Sequence, residues 1–147
     1  MLRVPLHRLD PDLAIPGYAR EGDAGADLLA RSDVVLARAG GRAVVPTGVS
    51  VAIPAGYAGF VLPRSGLAAR NGITCLNAPG LVDSGYRGEL QVVLVNHDPS
   101  HDYKVTRGDR IAQLVILRTE QVAFELVAAD DLGTSERGNG GFGHTGV

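Results

Sequence analysis

The chain has 147 residues, 45% of them apolar, enough for one domain around a single sizeable core. Its formal net charge of −2 excludes the broad basic field that would serve DNA or an anionic membrane, so neither is expected as a partner. A lone cysteine, Cys75, excludes an internal disulfide and suits a reducing cytoplasm.

In chain order, the opening MLRVPLHRLD has no long apolar core and no small-residue cleavage site, so no signal peptide is expected, and RVPLHRL reads as a first short strand. GDAGADLLA, Gly22 to Ala30, sets Asp27 after small residues and before apolar ones. Turn chemistry is its simple reading; a carboxylate near a magnesium–phosphate site is the functional one. DVVLA and RAVVPTGVSVAIP follow as β-rich runs. In the second, Val49, Val51 and Ile53 alternate with Ser50 and Ala52, the period of a half-buried strand. The most apolar stretch, VAIPAGYAGFVLP, is short, is broken by Gly and Pro, and cannot span a bilayer.

YAGFVLP runs into PRSGLA, where Arg64, Ser65 and Gly66 bring a guanidinium, a hydroxyl and an exposed amide to a strand end. The helix-friendly SGLAAR, about one turn long, starts there. The group reads as an anion site or as a plain corner with Ser65 capping the helix. GITCLN carries Cys75 as a small core residue. NAPGLVD then offers the Asn77 amide and exposed backbone to a planar polar edge.

GLVDSGYRGELQVVLV, Gly80 to Val95, reads as a hairpin of two apolar strands around a tight turn, with Asp83 at the first turn position. Asp83 is then a turn former or a catalytic base. Gly88 leaves room for a close approach. LQVVLV is apolar on both faces, which predicts burial on both sides or at a subunit contact. YKVTRGD and GDRIAQLV follow. Gln113 interrupts the second, either as a structural linchpin or as a ligand contact. VAFELV reads as a last strand.

After Leu132 the sequence is GTSERGNGGFGHTGV, too rich in glycine to offset its ordering entropy by burial. This divides the chain into a domain over 1–132 and a mobile arm over 133–147. Within the arm, Arg137 suits phosphate and Phe142 suits stacking on a base. Turn signals between the β-rich runs argue an all-β sandwich or barrel. There is no GxxxxGK[ST] loop, no HExxH and no CxxC pair, and the four histidines lack metal-ligand spacing. What remains is phosphate forks, an amide reader, one candidate base and a stacking ring, a set that suits a nucleotide.

The order and spacing of DAGADL, PRSGLA, GLVDSGYRGE, GDRIAQLV and RGNGGFGHTG, Asp23 to Gly146, resemble the five sequence blocks of the trimeric deoxyuridine triphosphatase (dUTPase) family. The resemblance implies a distorted jelly-roll β-barrel and a homotrimer with active sites at subunit interfaces. The Gly-rich C-terminal arm would close a neighbour's site. It implies hydrolysis of dUTP to dUMP and pyrophosphate, which keeps uracil out of DNA and supplies dUMP for dTMP synthesis. Asp83 aligns with the general base that activates a water for in-line attack on the α-phosphorus.

Mg2+ would be held mainly by the triphosphate, with Asp27 reaching it through water. Arg64, Ser65 and Gly66 would bind phosphates, and Gln113 would contact the α-phosphate region. Arg137 would reach the γ-phosphate. Phe142 and Gly143 of the arm would lie at the bound nucleotide, Phe142 over the uracil. Asn77, Gly80, the Leu81, Val82 and Asp83 backbone and the backbone near Gln91 would read the uracil edge. Tyr86 would pack on the deoxyribose and leave no room for a 2′-hydroxyl. The sequence departs from the family at His144, which stands where Ser is common; an imidazole there would make arm closure pH-sensitive. Two other readings use the same fold: a dCTP deaminase-like enzyme and a dUTPase-like trimer with a protein-binding role.

Overall fold

The computed structural model describes residues 1–140. The longest strand, β4 (Arg42–Val51), organises the fold: it pairs antiparallel with β1 (Leu6–Arg8) and with β8 (Glu89–Asn96), and β6 (Ile73–Cys75) extends the sheet to the order β1-β4-β8-β6. A second four-stranded sheet has the order β2-β10-β5-β7, from β2 (Ala26–Leu29), β10 (Arg110–Arg118), β5 (Tyr57–Leu62) and β7 (Gly80–Val82). β3 (Val34–Leu36) and β9 (Tyr103–Val105) form a two-stranded ribbon.

The alternation seen in the sequence sets what is buried. Val45, Val49 and Val51 of β4, Leu90, Val92 and Leu94 of β8, and Ile73 and Cys75 of β6 share one core with Leu28, Val61, Val82, Ala112 and Leu114 of the other sheet. This is the expected all-β jelly-roll, built from separate sheets packed face to face.

Pro46 lies inside β4, a position a central strand tolerates only at an irregularity. The register shifts between Pro46 and Ser50, and Gly48 takes φ +75° there. The bulge turns Thr47 inward, where its hydroxyl donates to the Leu90 carbonyl at 2.7 Å. Asn96, fully buried, is a second internal fastener: its amide donates to the carbonyls of Leu36 and His101, and its Oδ1 accepts from the Asp98 N–H. Burial pushes the Cys75 thiol up to about 11, so this core cysteine stays protonated.

The structure corrects three expectations. β7 and β8 are not a hairpin: β7 pairs with β5 and β8 with β4 and β6, so the turn between them passes the chain from one sheet to the other. SGLAAR becomes α1 (Ser65–Asn71), but its N-cap is Arg64, with no side-chain cap bond, so Ser65 is the first helical residue and not the cap. VAFELV is no strand; Phe124 and Leu126 are 97% and 100% exposed, because no sheet edge among the described residues receives them. Among the described residues no helix is long and apolar enough to cross a membrane.

Candidate functional site

Two groups of the expected site residues assemble, at different places. The first gathers where β2, β5 and β10 meet. Asp27 of β2 lies opposite Gln113 of β10, and Gln113 in turn lies opposite Leu62, the last residue of β5. Two residues after Leu62, Arg64 sends its Nε to 3.3 Å from Asp27 Oδ1, while its Nη1 donates to the Arg110 carbonyl at 3.0 Å. Arg110 closes the group with Nη1 3.5 Å from Asp27 Oδ2.

Asp27 is 9% exposed, and its Oδ1 is the one buried side-chain oxygen among the described residues that accepts no hydrogen bond. An unsatisfied buried carboxylate oxygen has room for one more donor. Gly25 is what lets Gln113 in: a Cβ there would stand 3.0 Å from Gln113 Cβ and 3.2 Å from its Oε1. Gly66 likewise admits a neighbour, since its Cβ would lie 2.8 Å from Arg70 Nη2. Arg64 and Arg110 thus face a single carboxylate, and Arg70 lies over Gly66, in a net cationic corner with Ser65 exposed at the first helical position.

The second group surrounds the turn from β7 to β8. The Tyr86 N–H donates to the Asp83 carbonyl at 3.1 Å, the closing bond of the expected four-residue turn. Arg87 fastens the turn from outside, its Nη1 donating to the carbonyls of Ser84 and Tyr86, both at 2.7 Å. β7 is an edge strand, and β6 meets β8 only from Leu94 onward, so the facing edges around Leu81–Val82 and Leu90–Gln91 are not joined in a ladder. Between them opens a cleft of about 380 Å³ lined by Val44, Leu81, Val82, Asp83, Tyr86, Leu90, Gln91 and Val93.

The cleft has an apolar floor, strand backbone along its sides and one exposed carboxylate, Asp83, at its lip. Gly80 is buried beneath it; a Cβ there would come within 3.3 Å of both Asn77 Nδ2 and Val61 Cβ, which brings the Asn77 amide to the far end of β7.

One chain does not join the two groups. Val82, next to Asp83, faces Gly59, and Arg64 lies five residues further along that strand and its exit. At about 3.3 Å per residue the separation is roughly 16 Å, beyond the reach of one side chain. Arg137 is exposed, with its Nε donating to the Gly140 carbonyl at 2.8 Å, and no ion pair or hydrogen bond among the described residues ties it to either group. Phe142, Gly143 and His144 lie outside the described residues.

Sequence reasoning missed Arg70, Arg87, Arg110 and Gly25. The signal for Arg110 and Gly25 was their place inside the quoted runs GDRIAQLV and GDAGADLLA. Nothing marks Arg70 before the helix places it over Gly66.

Comparison with known proteins bears on this geometry. The dUTPase family model matches residues 12–146. The chain is 61% identical over 145 residues to the deoxyuridine 5'-triphosphate nucleotidohydrolase of Thermobifida fusca, covering 99% of this chain and 79% of the relative. It is 56% identical to the protein of the same name from Streptomyces avermitilis, covering 99% and 81%. Among solved structures it resembles the Staphylococcus bacteriophage 80alpha dUTPase bound to dUpNHpp, with a TM-score of 0.87 and 28% identity over the whole of both chains. It also resembles a variant dUTPase of phage phi11 of S. aureus, with a TM-score of 0.76 and 25% identity over 86% of this chain and 97% of that one. That structure details the coordination of a structural Mg(II) ion.

Proposed function

The chain belongs to the dUTPase family and is a dUTP diphosphatase, and we propose that its chemistry is in-line hydrolysis at the α-phosphorus with Asp83 as base. Asp83 holds a water, takes its proton as the oxygen bonds to the α-phosphorus, and pyrophosphate leaves from the opposite side. The products are dUMP and pyrophosphate. The reaction keeps uracil out of DNA, supplies dUMP for dTMP synthesis, and belongs in the cytoplasm.

The observation that carries this reading is the cleft whose unpaired strand edges end at Asp83. A planar base slipped between β7 and β8 meets backbone N–H and C=O groups from Leu81, Val82, Asp83 and Gln91, with the Asn77 amide beyond Gly80. Uracil matches such a fixed pattern. Cytosine, with an amino group in place of a carbonyl, leaves donors facing donors, and such mispairing discriminates strongly. Tyr86 packs on the deoxyribose and excludes the 2′-hydroxyl.

The phosphates fall to the cationic corner. Arg64, Ser65 and Gly66 bind them, and Gln113 contacts the α-phosphate region. Since Asp83 and Arg64 of one chain stand at different ends of β5, the corner that serves a given cleft belongs to a neighbouring subunit of a homotrimer. The arm, residues 133–147, closes over the nucleotide, with Arg137 and His144 toward the γ-phosphate and Phe142 and Gly143 at the base.

The residues present fit a magnesium ion carried on the substrate: Asp27 offers one carboxylate oxygen without a hydrogen bond, and no group of three His, Cys, Asp or Glu ligands occurs among the described residues. Asp27 would hold the ion through water, and the ion would supply polarisation of the phosphate oxygens when bound.

Pyrophosphate release from dUTP, dCTP, dTTP and UTP with magnesium, for the wild type and Asp83→Asn, tests the assignment. The wild type should turn over dUTP alone at an appreciable rate, and Asp83→Asn should lose about 10²–10⁴-fold in kcat. An Asp83→Asn enzyme as fast as the wild type refutes the base. Ammonia released from dCTP establishes deaminase chemistry instead.

A further inference from the structure

The Tyr86 ring is held from two directions. Its hydroxyl donates to the Glu89 carbonyl at 2.9 Å, and the ring folds back over Gly88. A Cβ on Gly88 would stand 2.4 Å from Tyr86 Oη and 2.6 Å from its Cζ, so no other residue fits there with the ring in place. Tyr86 itself is exposed, so without these two contacts its ring would be free to turn.

The Glu89 carbonyl that receives the hydroxyl is itself anchored. The Glu89 carboxylate accepts the Gly48 N–H at 2.7 Å, presented by the bulge of β4. It also takes Arg31 Nη1 at 3.3 Å on each oxygen. Arg31 stands 3.5 Å from Asp10, which is hydrogen-bonded by Arg107, and Arg107 donates to the Arg31 carbonyl at 2.9 Å. A chain of charged groups therefore runs from three loops to the backbone that carries Tyr86. At the other end of the turn, Asp83 is exposed and its carbonyl is held by the Tyr86 N–H.

We infer that Glu89 is a positioning residue for sugar selection: by tying its own backbone to Gly48 and Arg31 it fixes the carbonyl that holds the Tyr86 ring over Gly88. The carboxylate touches no substrate. It acts through Tyr86, and the inference rests on the reading of Tyr86 as the gate against ribose. The property it controls is the ratio of kcat/KM for UTP to that for dUTP, more than the dUTP turnover that depends on Asp83.

The experiment measures that ratio in purified full-length enzyme for the wild type, Tyr86→Ala, Tyr86→Phe, Gly88→Ala, Glu89→Ala and Glu89→Gln, with thermal melting to confirm folding. Tyr86→Phe, Gly88→Ala and Glu89→Ala should each raise the UTP:dUTP ratio about tenfold, and Glu89→Ala, whose side chain lies outside the cleft lining, should leave dUTP kcat little changed. Glu89→Gln, which keeps an acceptor for Gly48, should restore most of the selectivity. Because Tyr86→Phe and Glu89→Ala cut the same link, the double variant should be no less selective than either alone.

Multiplying effects in the double variant overturn the inference, as does a wild-type ratio in Glu89→Ala. If Glu89→Ala fails to fold, Glu89→Met, which keeps the bulk of the side chain and removes both acceptor oxygens, takes its place under the same criteria. A Tyr86→Ala enzyme with the wild-type ratio overturns the gate reading itself. A relaxed Tyr86→Ala beside wild-type ratios in Gly88→Ala and Glu89→Ala overturns the inference alone.

Discussion

Single residues here act by tying distant loops to strand ends, and Asp10 shows how. The hydrogen bond from Arg107, with further help from the Asp12 N–H and Arg31, holds its carboxyl down at about 2, against an ordinary value of 3.8. A depressed carboxylate stabilises the folded chain above its unfolded value and loses that contribution as pH falls through its folded value. The window is therefore pH 4 to 2, where the unfolded chain binds the proton first. Urea unfolding at pH 7, 4.5, 3.5 and 2.5 should show wild-type stability falling across that window. Asp10→Asn should be less stable at pH 7 and change less on acidification. Equal slopes for the two proteins would remove Asp10 from the acid response. Asp33 and Asp98, lowered by the N–H groups of Arg107, Ser100 and His101, add to the slope in both proteins and so cancel in the comparison.

At the scale of elements, strands were legible wherever period-two alternation met a turn residue, because that pattern is local. β4 and β5 fall within runs that the sequence marked, and β8 and β10 overlap them over most of their length. Partnership was not legible. Two apolar runs around Asp83–Tyr86 look like a hairpin from inside the sequence, yet which edge each strand joins is decided by strands outside the runs, β5 for one and β4 and β6 for the other. That non-local choice leaves the edges of β7 and β8 open, and so makes the cleft. The Asp27–Arg64–Arg110 corner was half legible for the same reason: the quoted motifs held its residues, but their meeting depends on β2 and β5 flanking β10.

VAFELV failed as a strand because it has no partner among the described residues. Its composition still favours one, and its Phe124 and Leu126 are fully exposed apolar side chains. A neighbouring subunit is the natural partner for both. Burying two such side chains contributes about 1.5–3 kcal/mol each, so Phe124→Ser with Leu126→Ser should shift the assembly toward monomer in sedimentation at micromolar concentration. An unchanged sedimentation coefficient would exclude the segment from the subunit contact.

At the scale of the whole molecule, Asp83 and Arg64 stand at least roughly 16 Å apart along the β5 direction, although the proposed reaction needs one triphosphate to meet both. A rigid jelly-roll cannot bring its two ends together, whereas a closed ring of identical subunits sets one chain's cleft against another's corner. The two halves should then be separable by mutation and recoverable by mixing. In the proposed trimer, Asp83→Asn would keep the corner and lose the base, Arg64→Met would keep the base and lose a phosphate ligand, and each alone should be nearly inactive. If the two proteins are unfolded together in equal amounts and refolded, random assembly gives each site an even chance of drawing an intact cleft from one parent and, independently, an intact corner from the other. About a quarter of the sites should then be fully intact in a cyclic trimer, and dUTP turnover should return to that fraction of the wild-type value. If cleft and corner instead served each other within one chain, no mixed assembly would contain an intact site, and the refolded mixture would stay as inactive as its parents.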